Sequence, residues 1–180
     1  MIKPILVLVA VDDELSLPVP YPFLKVVIGV GKINAAINTF KAIVLHKPDR
    51  VINFGTAGSL NPEYVPGLYK VGSVVQRDFD ARPLTNEIGV VPYDKTPMSL
   101  DFGDGPSLST GDNFVTSTPE VKSDLVDMEA FAIAKVCQEL DIPLDIFKYV
   151  TDNADENAAN DWLTQMRQGS REFLDVINSV

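Results

Sequence analysis

Short, wholly apolar runs rich in valine and isoleucine recur along this chain, and stretches with helical spacing separate them. The runs cover residues 4–11, 23–30, 50–54, 71–75 and 144–150. A strand that is continuously apolar, rather than alternating, is buried on both faces, as in a sheet covered by helices. Between the strands, Ile33, Ala36, Ile37, Phe40, Ile43 and Val44 repeat at three and four residues, with Pro48 just beyond. That spacing predicts a helix with those side chains on its buried face. Met128, Phe131, Ala132, Lys135 and Val136 predict a second helix, followed by Pro143. A third runs over 161–177, with Trp162, Met166, Phe173, Leu174 and Ile177 as its apolar members and Gly169-Ser170 weakening its middle. Strand–helix–strand alternation of this kind implies an α/β fold on a mixed, mostly parallel sheet.

At 180 residues the chain predicts one domain spanning 1–180. Its 46% apolar and 22% charged content excludes a disordered chain. With 25 acidic against 15 basic side chains the net charge is −10, which argues against a nucleic-acid partner, because phosphate neutralisation needs clustered cations. Cys137 stands alone and can form neither an internal disulfide nor a cysteine-based zinc site. The apolar run 4–11 is too short to span a membrane and leads directly into Asp12-Asp13-Glu14 without a small-residue cleavage site. A cytoplasmic protein with no membrane partner is the expectation. Residues 82–105, rich in proline, glycine and aspartate, read as an extended functional or interface loop with at most one strand.

Ligands of open α/β sheets gather at the carboxyl ends of the strands. The polar clusters following the apolar runs are Asp12-Asp13-Glu14, Gly55-Thr56-Ala57-Gly58, Gly111-Asp112-Asn113, Met128-Glu129 and Thr151-Asp152. The acidic cluster after the first strand is similar to the start of a receiver domain. Such a domain needs a phosphoacceptor aspartate after a later strand, however, and residues 51–54 lead into Gly55-Thr56 instead. The clusters taken together, in order, resemble the nucleoside phosphorylase/nucleosidase superfamily, and most closely its methylthioadenosine/S-adenosylhomocysteine nucleosidases. The likeness is carried by residues 29–36, 48–60, 109–115, 126–137 and 149–155, and it covers most of 3–175.

That resemblance implies a nucleoside phosphorylase-like α/β domain that hydrolyses the N-glycosidic bond of an adenosine-type nucleoside. It implies no cofactor, no metal and a homodimer. Asp152 would protonate purine N7, and Glu14 would activate water. Glu129 would accept the ribose hydroxyls above Met128, beside the small turn Thr56, Ala57 and Gly58. Phe114 would stack on the base while the main chain of Val115 reads its edge. Thr151 would accompany Asp152, and Trp162 would cover the 5′ side. Each residue has a plainer reading too. Asp152 can cap a loop, Asp12 to Glu14 can form a solvated turn, and Met128, Phe114 and Trp162 can be core. An acidic residue in a first helical turn, as Glu129 is expected to be, also complements the helix dipole. Phosphorylases of the superfamily hold phosphate with arginines. Asn53 stands at one of those positions and no arginine occurs in 1–49, which favours water over phosphate as nucleophile. A phosphate-dependent phosphorylase and a non-catalytic nucleoside-binding relative are the alternatives. Threonines at 56 and 151 replace the family's usual serines, Lys148 replaces a common arginine, and the region between Val75 and Leu108 is short, which bears on the 5′-group.

Overall fold

The structure is a computed structural model that describes the backbone of residues 2–152, 154 and 158–178, and the side chains of these except 158–165. Nine strands among the described residues form one mixed sheet flanked by three helices, the α/β architecture expected from the sequence. In chain order they are β1 (Ile5–Val9), β2 (Phe23–Val27), α1 (Lys32–His46), β3 (Arg50–Ser59), β4 (Gly67–Lys70), β5 (Ser73–Gln76), β6 (Ser99–Asp101), β7 (Ser107–Thr110), β8 (Leu125–Asp127), α2 (Ala130–Glu139), β9 (Leu144–Asp152) and α3 (Ala158–Asn178). The sheet runs β2-β1-β3-β8-β7-β5-β6, while β9 pairs with β3 and β4. All five apolar runs contain strands. The loop over 82–105 holds one of them, β6, as expected.

Burial on both faces holds for β1. Leu6 and Leu8 pack with α1 and α2, while Val7 and Val9 point the other way toward Phe173 and Ile177 of α3. Phe173 stacks on Phe54 of β3, with ring centroids 4.3 Å apart. Full burial of such a side chain contributes roughly 1.5–3 kcal/mol. The edge strand β2 is only half-buried.

Two expectations about the helices are corrected. The buried side of α1 consists of Ala35, Thr39, Ala42 and Ile43, whereas Ile33 (72% exposed), Ile37, Phe40 and Val44 face outward. Small side chains let α1 approach α2 and the sheet closely, so the bulkier residues of the stripe lie on the far side. Gly169-Ser170 does not weaken α3. A β-carbon at Gly169 would lie 2.6 Å from the ring of Tyr149, so glycine is what lets the helix lie on β9. Ser170 Oγ donates to the carbonyl of Glu14 at 2.6 Å.

β3 is the longest strand and the hinge of the layout. Its first half pairs in parallel with β1 and β9. At Ala57/Gly58 its register against β9 shifts, and Gly58 and Ser59 then pair antiparallel with Val126 and Leu125 of β8. Thr56, Ala57 and Gly58 therefore sit where the two halves of the sheet diverge.

Candidate active site

A cavity of about 250 Å³ opens at this divergence. Glu14 reaches it from the turn after β1, Thr56, Ala57 and Gly58 from β3, and Asp152 from the last position of β9. Phe114 and Val115 supply a further wall. Met128 and Glu129, between β8 and α2, supply another. Nine of the eleven residues singled out in the sequence thus wall one space. Thr151 lies behind that wall, where its hydroxyl donates to Asp152 Oδ2 at 2.7 Å. Trp162 falls on the backbone of α3, but its side chain lies outside the described residues, as do Asn153 and Asp155 of the same motif.

Burial separates the three consecutive acids. Asp12 and Asp13 are exposed, while Glu14 is 4% exposed and turned inward by the 3-10 turn Asp12–Leu15. Its Oε2 accepts from the backbone N–H groups of Ala10 (2.8 Å) and Val11 (3.3 Å). Its Oε1 accepts from the N–H (2.9 Å) and hydroxyl (3.1 Å) of Thr56. Four donors, from the end of β1 and from within β3, fix this carboxylate in place, much as a nest of oriented amides fixes an anion. Asp152 is similarly held, with Ala154 N–H donating to Oδ1 at 2.9 Å.

Glu129 does not occupy the first turn of α2. It is the residue before the helix, with a non-helical φ of −133°. The first turn is capped instead by Asp127, whose Oδ2 accepts from the N–H of Ala130 (2.8 Å), and by Thr110, whose hydroxyl accepts from Phe131 N–H (3.0 Å). Released from capping, Glu129 Oε1 accepts from Gly31 N–H at the start of α1 (2.9 Å). Burial, and then the neighbouring charge of Asp127, push the Glu129 carboxyl up from 4.5 to about 7. Lys148 and the Gly31 N–H work in the opposite direction.

Beneath these acids lies a buried cation that the sequence marked only as a departure from family pattern. Lys148 on β9 is wholly buried and pairs with Asp127 at 2.8 Å. Burial alone would discharge it, but Asp127, Glu129 and Glu14 hold its ammonium above the usual lysine range. Sequence reasoning missed Arg77, another wall residue. Its one signal was a charged residue two positions beyond the apolar pair Val74-Val75. Asn53 is buried, and its amide donates to the carbonyl of Leu8.

A folded-state carboxyl raised above its unfolded value makes the native protein hold its proton more tightly. Stability from Glu129 is therefore fullest below pH 4.5 and lost as pH rises through about 7. Urea unfolding of the ligand-free protein between pH 5 and 7.5 should show that decline, a few kcal/mol in scale. Glu129→Gln should flatten it, and an unchanged slope in that variant would assign the effect elsewhere.

The chain as a whole is similar to known proteins. A model of the phosphorylase superfamily matches residues 22–103 and 101–180. A 5′-methylthioadenosine/S-adenosylhomocysteine nucleosidase of Buchnera aphidicola subsp. Acyrthosiphon pisum is 32% identical over 161 residues, covering 72% of this chain and 67% of the relative. A nucleosidase of the same name from Hydrogenovibrio crunogenus is 31% identical over 157 residues, covering 73% and 68%. Among solved structures, futalosine hydrolase of Helicobacter pylori superposes with a TM-score of 0.88 at 20% identity, over 99% of this chain and 97% of that one. The Neisseria meningitidis 5′-methylthioadenosine/S-adenosylhomocysteine nucleosidase in complex with methylthio-immucillin-A gives 0.82 at 23% identity, over 99% and 100%.

Proposed function

The chain belongs to the phosphorylase superfamily, and from that premise we propose that it is a nucleosidase. It hydrolyses the N-glycosidic bond of an adenosine-type nucleoside of the methylthioadenosine/S-adenosylhomocysteine kind, with water as nucleophile. The observation that carries the reading is the meeting of Glu14, Glu129 and Asp152, three acids from distant segments, on the wall of one cavity that Phe114 also lines.

In this reaction the C1′–N9 bond breaks and its electron pair moves onto the purine. Asp152 neutralises that charge at N7, while Thr151 and Ala154 hold its two oxygens in place. The sugar acquires oxocarbenium character, and water adds to C1′ as Glu14 takes its proton. Glu129 accepts from the ribose hydroxyls, fixing the ring over Met128. Phe114, 51% exposed without a ligand, gives its face to the base, and the main chain of Val115 reads the base edge. Trp162 is assigned to the 5′ side.

Hydrolysis is favoured over phosphorolysis by how the site's donors are used. The Thr56 N–H and hydroxyl already serve the Glu14 carboxylate. The terminal nitrogens of Arg77 are bound to backbone carbonyls rather than open to an anion. Purified protein should release free adenine from methylthioadenosine or adenosylhomocysteine without phosphate, as followed by chromatography. A rate that requires phosphate and yields a ribose 1-phosphate would make it a phosphorylase. Tight nucleoside binding with no base release would make it a binding relative.

We infer further that residues 1–180 act as one cytoplasmic domain and that the chain is a homodimer. The support for the dimer is the outward stripe Ile33, Ile37, Phe40 and Val44 on α1, next to the cavity residue Val30. Sedimentation at micromolar concentration reads the oligomeric state directly, and a monomer would overturn the inference.

A further inference from the structure

Arg77 follows β5 immediately and is 5% exposed, although it lines the cavity. Its Nη1 donates to the carbonyls of Ser109 and Asp127, both at 2.7 Å. Its Nη2 donates to those of Asn113 (2.7 Å) and Gly111 (3.3 Å). Nε finds no acceptor among the described residues. The side chain is thus placed by the four carbonyls it reaches, not by a carboxylate partner. Three of these belong to residues 109–113, the run leading into Phe114 and Val115. The fourth belongs to Asp127, the residue before Met128 and Glu129. One guanidinium therefore spans the strip that faces the base and the strip that faces the sugar.

The fit is close. A β-carbon on Gly111 would lie 2.9 Å from the guanidinium carbon, so the strip lies directly against the arginine. The residues flanking Arg77 extend the same bracing to α1. Gln76 and Asp78 both accept from Lys32 Nζ (3.1 and 2.5 Å). Asp78 also accepts from Asp112 N–H, and Asp112 in turn from Lys32 N–H, each at 2.7 Å. Gly31, next to Lys32, is the donor to Glu129.

We propose that Arg77 is a positioning residue for base recognition, holding the Phe114-Val115 strip at a set distance from Glu129. This rests on the nucleosidase reading above. Arg77 does not touch the reacting atoms and acts through main-chain carbonyls. A planar fork with donors at fixed angles can satisfy four carbonyls at once. A lysine, with three donors on one atom, keeps the charge but cannot span them.

Arg77→Lys should therefore weaken free-adenine binding in calorimetry and raise KM by about 10- to 100-fold, the scale of losing one or two charged hydrogen bonds. Its kcat should stay close to the parent value. The parent protein's own binding of adenine, which needs no turnover, separates the two readings. If the parent binds adenine and folded Arg77→Lys binds it equally well, or loses kcat with KM unchanged, the positioning role is wrong while the nucleosidase reading stands. A parent that neither binds adenine nor releases it overturns both. Should Arg77→Lys lose its cooperative thermal transition, Gly111→Ala disturbs the same contact from the other side. Weakened adenine binding in Gly111→Ala supports the role, and unchanged binding overturns it.

Discussion

Asp152→Asn should slow base release by about 10²–10⁴, the usual contribution of a positioned general acid. Asparagine preserves the side chain's shape and one acceptor oxygen, but it cannot pass a proton to the departing purine. KM should change little, because in the proposed reading the base is also held by Phe114 and by the main chain of Val115. Initial rates of adenine release, measured beside a thermal melt, separate a chemical defect from a folding one. Folded Asp152→Asn turning over like its parent would remove Asp152 from the mechanism and turn attention to Glu129, the other acid of this cavity whose carboxyl is raised.

Glu14→Gln should cost a similar factor of about 10²–10⁴ through loss of the proposed water-activating base. The four donors around Glu14 add a second effect. An amide has one oxygen where the carboxylate has two, so its NH₂ must face either the Ala10 and Val11 N–H groups or the N–H and hydroxyl of Thr56. A fall in melting temperature should therefore accompany the lost activity. Asp12→Asn and Asp13→Asn provide the contrast, since both residues are exposed. Turnover that fell equally in all three variants would point to the charge of the turn rather than to one positioned carboxylate.

The same contrast shows what the sequence could and could not reveal. Its three consecutive acids look alike on paper. Family likeness singled out Glu14, and burial on the 3-10 turn supplies the physical reason. The long apolar strands β1, β3 and β9 were legible because both their faces are covered, leaving an unbroken signal. Strands β4, β6 and β7 were not. They are three or four residues long and, as in Ser107–Thr110, largely polar, so their strand character comes from pairing partners distant in sequence. The inner face of α1 was misread because small residues such as Ala35 and Ala42 carry a weaker hydrophobic signal than the isoleucines facing outward. Arg77 escaped notice for a related reason. A charged pair such as Arg77-Asp78 after a strand ordinarily reads as a solvated end, and nothing local reveals four carbonyls converging on the arginine from residues more than thirty positions away.

The divided course of β3 has a mechanical corollary. Its pairing with β8 consists of two residue pairs, Gly58 with Val126 and Ser59 with Leu125, and the cavity opens beside that narrow seam. A nucleoside seated there would touch Thr56 to Gly58 on one bank and Met128-Glu129 on the other. Substrate would thereby act as mortar between two slabs of sheet that the polypeptide itself stitches only thinly, tightening the framework at the moment the chemistry needs it rigid.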